Sequence, residues 1–185
     1  MEEVLIMLLQ LIMIYNCTDI SLEENRRMEF QNKLIRKFNM PLVVTRVSYP
    51  GENKSNDITN NIIESMDAIV CDIFSPYIYF KILRITAEGP ILTLIINKNA
   101  LDIKRTTVEI ENKHILGKCV DIDVYDKDEN KISRIDLGYA LRECYICSNT
   151  AKECIKEKRH AKEEIIQYIV GKYREYMESF YGKRI

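Results

Sequence analysis

The chain has few of the features that mark low-complexity chains and nucleic-acid-binding surfaces. Its 185 residues include only six glycines and four prolines, which excludes a linker-like or low-complexity composition. No charge of one sign dominates, because 27 basic and 28 acidic residues give a net charge of −1. The basic residues are also scattered, so the sequence offers no broad basic surface to a nucleic-acid duplex. We therefore expect a single globular domain over residues 1–185 that does not bind nucleic acid.

A membrane span is also missing from the sequence. The hydrophobic run at residues 4–15 is too short to cross a bilayer. Glu2 and Glu3 precede it, where a signal peptide carries Lys or Arg. We interpret residues 1–18 as a hydrophobic extension with a buried or partner-covered helix, and residues 19–185 as the main domain. The spacing of the six cysteines is less typical of a disulfide framework than of reduced thiols with one cluster, so we expect a cytoplasmic protein.

Hydrophobic periodicity predicts an α+β fold, with helices packed on an antiparallel sheet. The strand signals are a β-branched run at 41–49, a hairpin of 77–86 with 91–96, and a second hairpin of 119–125 with 131–137. Helical spacing covers residues 21–38, 56–74, 101–112 and the chain from Cys144 onward.

The strongest chemical signal is the pair Asp121 and Asp123 on the first strand of the second hairpin. Side chains at positions i and i+2 of a strand point to the same face, so the two carboxylates lie side by side. They repel each other unless a cation or a proton lies between them. Mg²⁺ prefers such oxygen ligands and completes its shell with water and substrate phosphates. The alternative is an exposed strand face with two solvated acids.

The return strand of this hairpin extends the acidic face. Matching the apolar faces of the two strands places Asp136 opposite Asp121 and Arg134 opposite Asp123. Three carboxylates and a guanidinium on one face form either a salt-bridge network or a metal site with its own phosphate-binding arginine.

A second constellation consists of Cys144, Cys147, Cys154 and His160. Three thiols and one imidazole are the ligand set of a structural zinc site. The alternative is a group of small buried residues on packed helices. The other histidine, His114, could contact a phosphate, act as a base, or be a satisfied loop residue. Gly117 would allow a phosphate to approach the backbone closely.

Together these segments resemble the citrate lyase holo-acyl-carrier-protein synthase family, also called apo-citrate lyase phosphoribosyl-dephospho-CoA transferases. The resemblance runs from about Ser21 to the end of the cysteine cluster and is closest between Lys104 and Asp123. Its anchors in this sequence are Arg27, Gln31, Lys54, Gly89, Pro90, Lys104, His114, Gly117, Asp121, Asp123, Arg134, Asp136, Arg142 and the Cys/His set.

The resemblance implies an enzyme of the nucleotidyltransferase type with a metal-binding hairpin. It would attach the triphosphoribosyl-dephospho-CoA prosthetic group to a serine of the apo acyl carrier subunit of citrate lyase and release diphosphate. Asp121, Asp123 and Asp136 would then hold Mg²⁺, and His114 would assist catalysis. The expected substrate ligands are Arg134, Gly117, Lys54, Lys104 and Arg142. Two alternatives remain: a related synthase for another lyase or decarboxylase, and a non-enzymatic interaction module built on a zinc-binding Cys/His cluster.

Overall fold

The computed structural model describes residues 20–181, which form a four-stranded antiparallel sheet and five α-helices. The strands are β1 (Leu42–Val47), β2 (Ile78–Thr86), β3 (Gly89–Ile96) and β4 (Val120–Tyr125). The helices are α1 (Ile20–Phe38), α2 (Asp57–Phe74), α3 (Ala100–Lys113), α4 (Ala151–Glu157) and α5 (Lys162–Tyr181). The predicted α+β class is therefore confirmed, whereas the predicted helix at residues 4–15 lies outside the described residues.

The sheet has the strand order β2-β3-β1-β4, and each of its two faces packs against a hydrophobic core. Val43 of the central strand β1 belongs to the larger core, which also contains residues of α2, α3 and α5. The next residue, Val44, belongs to a smaller core with Phe30 and Leu34 of α1. Alternate side chains of a strand point to opposite faces, so β1 is buried on both sides.

Local signals account for most of the elements that the sequence predicts correctly. Asn56 caps α2 through a capping box with Thr59, which fixes the start of that helix. The first predicted hairpin is confirmed, because β2 and β3 pair antiparallel along their length. Gly89 has a φ of +94°, and a Cβ atom there would come within 2.6 Å of the Lys54 carbonyl oxygen. Only glycine fits this close approach without strain.

The second predicted hairpin is wrong. Lys131 forms a single bridge with Tyr125, and Ile135–Leu137 is a 3₁₀ turn rather than a strand. The backbone N–H of Ser133 donates to the Asp136 carboxylate, and the N–H of Ile135 donates to the Ser133 hydroxyl. Such local bonds offer the backbone an alternative to a strand ladder.

The register deduced for that hairpin is wrong as well, because β4 pairs with β1. Arg46 lies opposite Asp121, and Val44 lies opposite Asp123. Asp136 is therefore not opposite Asp121, and Arg134 is not opposite Asp123.

The helix predicted for the C-terminal part of the chain begins several residues later than expected. The helix expected from Cys144 begins only at Ala151, after an irregular loop that ends in the Thr150 cap. Ile165, Ile169 and Tyr173 of α5 pack against the larger core, as the apolar stripe predicts. None of the helices within residues 20–181 is long and apolar enough to cross a membrane.

Candidate active site and metal centre

Asp121 and Asp123 lie on the same face of β4, as predicted, on the side of the sheet that packs against α1. The alternate residues Val120, Ile122 and Val124 are buried in the larger core, which turns the two acids the other way. The Asp121 side chain is 42% exposed and that of Asp123 is 14% exposed. The pair is thus partly desolvated and remains open to a ligand.

All four oxygens of these two carboxylates have protein partners. Asp121 accepts hydrogen bonds from Arg142 at one oxygen and from the Ser48 hydroxyl, at 2.6 Å, at the other. One oxygen of Asp123 lies 3.3 Å from Arg46, and the other lies 2.9 Å from Lys131. Arginine and lysine side chains therefore neutralise the negative charge of the two carboxylates, for which a metal ion was predicted from the sequence.

Within residues 20–181, no third carboxylate joins the pair. Asp136 accepts a bond from Ser133 in its own turn. Among the residues that the structure describes, only the Cys/His cluster brings three or more potential ligand atoms close enough together to hold one metal ion. The predicted three-carboxylate site is therefore not formed in the described part of the chain.

Beside Asp123 lies a network of buried and half-buried charged side chains, most of which were not predicted from the sequence. Arg46 lies between the Asp123 carboxylate and Glu88, at 3.3 and 3.7 Å. Arg27 of α1 donates to Glu88 at 2.8 Å. From the sequence, Arg27 was identified only as an anchor of the resemblance. Arg46 could have been found only from the pairing of β1 with β4, which puts it on the acidic face.

A pocket of about 270 Å³ opens between α1 and β4 beside Asp123. Its wall includes Arg27, Gln31, Arg46 and Lys131. Gln31 is only 2% exposed, and its amide nitrogen has no hydrogen-bond partner among the described residues. An unsatisfied buried donor costs free energy, so a polar group supplied to this pocket would be stabilised.

A second pocket, of about 280 Å³, lies beyond the free edge of β4 and is lined by both arginines predicted to bind substrate. Its charged lining residues are Lys118, Arg134 and Arg142, with Glu111 and Glu143. Arg134 donates to Glu111 at 3.3 Å and to Asn112 at 3.0 Å. Its buried Nε atom has no partner among the described residues. Each of the three cations already pairs with a carboxylate, Lys118 with Glu143, Arg134 with Glu111 and Arg142 with Asp121. An anion in this cleft would therefore have to share these cations with their present partners.

Two charged side chains of α3 close the free edge of β4. Lys104 donates to the carbonyl oxygen of Ile122, and Glu111 accepts from the N–H of the same residue, both at 2.9 Å. Both side chains are buried. Burial lowers the pKa of Lys104 and raises the pKa of Glu111. Lys104 therefore holds the strand in this structure, and its contact with substrate stays a prediction.

The remaining predicted ligands have structural contacts of their own. A Cβ atom on Gly117 would lie 2.3 Å from the Ile110 carbonyl oxygen, so glycine is needed where this turn meets α3. The carbonyl of Lys54 accepts from Thr59 at 2.9 Å and packs against Gly89. Neither Gly117 nor Lys54 lines the two pockets described above. Their contact with substrate stays a prediction.

His114 ends α3, and its geometry bears on the predicted role as a base. Its Nδ1 atom accepts from the N–H of Leu116 at 3.2 Å, and its ring lies 5.6 Å from that of Tyr176. Burial lowers the pKa of His114, which favours the neutral ring. A neutral ring that accepts at Nδ1 carries its proton on Nε2. In this geometry His114 can donate a hydrogen bond, and it has no free nitrogen to take a proton.

The predicted convergence of Cys144, Cys147, Cys154 and His160 is confirmed. Their donor atoms all lie within 4.8 Å of one another. Cys147 Sγ is 3.5 Å from Cys154 Sγ and 3.3 Å from His160 Nε2. Tetrahedral zinc with bonds near 2.3 Å would put its ligand atoms about 3.8 Å apart. The cluster therefore has both the chemistry and the dimensions to bind a metal ion.

Local backbone structure brings the four ligands together. Cys144 N–H donates to Asn149 O at 2.8 Å, which closes the turn that carries the first two cysteines. The capping box of Thr150 and Glu153 then starts the short helix α4, which carries Cys154. Hydrogen bonds from the Asn149 backbone and from His160 lower the pKa of Cys147 to about 6. This favours the thiolate, which is the form that binds metals.

Comparison with known proteins identifies the family. Residues 17–176 match the sequence profile of the apo-citrate lyase phosphoribosyl-dephospho-CoA transferases. A protein of that name from Escherichia coli O7:K1 (strain IAI39 / ExPEC) is 27% identical over 152 residues, covering 80% of this chain and 82% of the relative. The protein of that name from Citrobacter koseri is 26% identical over 151 residues, with the same two coverages of 80% and 82%.

A longer relative also matches. Protein CitXG of Leuconostoc mesenteroides subsp. cremoris is 29% identical over 148 residues, which are 75% of this chain and 30% of that protein. This chain thus spans less than a third of that relative. The profile match covers most of the chain and confirms the resemblance drawn from the sequence. The chain belongs to the apo-citrate lyase phosphoribosyl-dephospho-CoA transferase family.

Proposed function

We propose that this enzyme transfers the 2′-(5″-triphosphoribosyl)-3′-dephospho-CoA prosthetic group to a serine of the apo acyl carrier subunit of citrate lyase. The observation that carries the proposal is the family match over residues 17–176. That range includes the Asp121–Asp123 face and the cleft with Arg134 and Arg142. The Escherichia coli and Citrobacter koseri relatives are, by their names, transferases that act on apo-citrate lyase.

The proposed reaction is a displacement at phosphorus. The carrier serine oxygen forms a bond to the phosphorus attached to the ribose, the bond from that phosphorus to the diphosphate oxygen breaks, and the serine proton is released. The barrier depends on neutralising charge on the leaving diphosphate and on aligning the attacking oxygen. Arg134 suits the first task best, because it lines the cleft and its buried Nε has no partner among the described residues. Both terminal nitrogens of Arg142 are already bonded to Asp121 and to backbone carbonyls, so its contact with phosphate stays a prediction.

Asp121 and Asp123 are the residues that would hold Mg²⁺. Carboxylate oxygens are suitable ligands for Mg²⁺, and both carboxylates lie on one partly open face. Lys131, whose side chain is 54% exposed, is the most easily displaced of their present partners. When bound, Mg²⁺ would supply positive charge beside the phosphates. The predicted third ligand, Asp136, lies in a separate turn, so we restrict the proposal to the pair.

We also propose that Cys144, Cys147, Cys154 and His160 bind Zn²⁺ as a structural ion. Four protein ligands would fill a tetrahedral shell and leave no position for substrate, which is typical of structural zinc sites. The alternative of a non-enzymatic zinc module is not favoured, because the chain belongs to a transferase family. A synthase for another carrier is not favoured either, because the names of the relatives specify citrate lyase.

The transfer reaction can be tested by intact-mass spectrometry of the carrier. The apo acyl carrier subunit would be incubated with this protein, Mg²⁺ and triphosphoribosyl-dephospho-CoA. We expect the carrier mass to rise by one prosthetic group, and only when the donor is present. An unchanged mass would contradict the proposal. Parallel reactions with the apo carrier of malonate decarboxylase would show whether a different carrier is preferred.

A further inference from the structure

We infer that the metal-binding Cys/His loop, defined here as residues 142–160, positions the catalytic carboxylate of Asp121. Metal occupancy of that loop would then control transfer at a site formed by other residues. The inference rests on the proposed function for its activity readout. The structural basis of the inference is a set of contacts that connect the loop to both carboxylate oxygens of Asp121.

The first connection is direct and runs through Arg142, two residues before the ligand Cys144. One guanidinium nitrogen of Arg142 donates to Asp121. The other donates to the carbonyl oxygens of Gly117, Lys118 and Val120, with the Lys118 bond at 2.9 Å. Arg142 thus binds the carboxylate and the backbone segment that leads into it. A movement of the loop would break all of these bonds together.

The second connection runs through Tyr145, which lies between the first two cysteines. Its hydroxyl donates to the carbonyl oxygen of Ser48 at 3.1 Å. The hydroxyl of Ser48 in turn donates to the other oxygen of Asp121 at 2.6 Å. The loop therefore fixes one carboxylate oxygen directly and the other through a single intermediate residue. Ser48 and Tyr145 are positioning residues in this arrangement.

Apart from the Tyr145 ring, which lies 5.5 Å from the ring of Tyr168, the loop has little apolar packing to keep it in place. Between residues 142 and 160, the buried side chains are the metal ligands Cys144 and Cys154. The neighbouring apolar residues Ile146 and Ile155 are exposed. Two backbone bonds close the turn that precedes α4, from Cys144 N–H to Asn149 O and from Ala151 N–H to Arg142 O, both at 2.8 Å. A bound metal ion would supply the cross-link that hydrophobic burial does not provide.

The predicted consequence is that metal loss releases Arg142 and Tyr145 together. Small displacements of catalytic groups can lower a rate by about 10²-fold. We expect a loss of about tenfold or more in the turnover of the transfer reaction, with a smaller effect on KM for the donor. The rest of the sheet should stay folded, because its core residues lie elsewhere.

A double-mutant cycle tests the connection. Cys147→Ser removes one ligand, and Tyr145→Phe removes only the hydroxyl that bonds Ser48. We expect each to lower turnover, and the double variant to be no worse than Cys147→Ser, because the same contact is lost once. Fully additive effects would overturn the inference. Cys71→Ser is the matched control, since this cysteine lies on α2 outside the loop.

Hydrogen exchange gives a readout that does not depend on activity. Wild-type protein loaded with Zn²⁺ would be compared with the same protein after chelation. We expect faster exchange on chelation in peptides that contain Ser48 and residues 117–121, with Leu92 and Leu94 of β3 unchanged. Equal exchange in the two states would overturn the inference. If transfer is absent in wild-type protein while this exchange difference remains, only the proposed function fails.

Discussion

The carboxylate of Glu111 accepts a hydrogen bond from the backbone N–H of Ile122 at 2.9 Å, which closes the free edge of β4 from within the protein. Edge strands expose unpaired backbone groups and are prone to pair with other chains. Lys104 satisfies the carbonyl of the same residue, and Ile132 N–H donates to Val124 O. The strand that carries the acidic pair is therefore held on both edges.

Removing the Lys104 ammonium should loosen this edge. Lys104→Met keeps most of the side-chain volume but leaves the Ile122 carbonyl without a partner. We expect the free energy of unfolding to fall by about 1–3 kcal/mol, the usual cost of an unsatisfied buried polar group. Urea denaturation would measure it. Lys33→Met, on the exposed surface of α1, is the control and should change stability by less than about 0.5 kcal/mol. Equal stabilities for the two variants would contradict the edge contact.

Removing charge from the acidic pair should affect catalysis more than folding. Asp121→Asn and Asp123→Asn keep size but lose the negative charge needed for Mg²⁺. We expect transfer to fall by about 10²-fold or more, the scale of one major electrostatic element. Initial rates of carrier modification would measure this, with Asp72→Asn on exposed α2 surface as the control. Near-normal turnover of a folded Asp123→Asn protein would rule out the metal role.

His114 should make stability depend on pH. Burial lowers its pKa below the ordinary value of 6.5. The unfolded chain therefore binds a proton more readily than the folded chain does, and the stabilising contribution is present above pH 6.5. It is lost as the pH falls through the folded-state pKa, because protonation also removes the acceptor for Leu116 N–H. Urea denaturation at several pH values would measure the effect.

His114→Gln supplies the comparison, since it keeps a hydrogen-bond acceptor but does not titrate. We expect wild-type protein to lose more stability than the variant as the pH falls from 7.5 to 5.5. Every other titratable group is present in both proteins, so its contribution cancels in the difference. Parallel curves for the two proteins would contradict the account of His114.

The sequence predicted features that depend on neighbouring residues. The alternation of apolar and acidic residues in β4 correctly placed Asp121 and Asp123 on one face. The β2–β3 hairpin and the helical spacing of residues 56–74 are local in the same sense. The spacing of the cysteines also predicted their convergence, although the helix assigned from Cys144 was wrong.

Features that depend on distant pairing could not be predicted in this way. Ser48 and Asp121 are 73 residues apart in the chain, and nothing in either segment alone shows that β1 and β4 are neighbours. The partner strand was therefore taken to be residues 131–137, which alternate correctly but form local bonds through Ser133 and Asp136. Arg46 was missed for the same reason. With β1 as the true partner of β4, Asp136 is no longer a metal ligand, whereas Asp121 and Asp123 still share one face.

The Cys/His cluster should contain zinc in the purified protein. Elemental analysis of protein prepared without added metal should find about one Zn²⁺ per chain, and chelation should lower the free energy of unfolding. Cys147→Ser should lose the metal, whereas Cys71→Ser should keep it. A zinc content near zero in wild-type protein would show that the cluster is a packing or carrier-docking feature.

The most direct test of the central claim measures both products of one reaction. Apo acyl carrier subunit, triphosphoribosyl-dephospho-CoA and Mg²⁺ would be mixed with this protein. Released diphosphate would then be quantified beside the modified carrier, and peptide mapping would locate the attachment. We predict equal amounts of diphosphate and of carrier modified on a serine, with both products falling together in Asp121→Asn. Carrier modification without diphosphate, or no modification by a folded wild-type protein, would contradict the account.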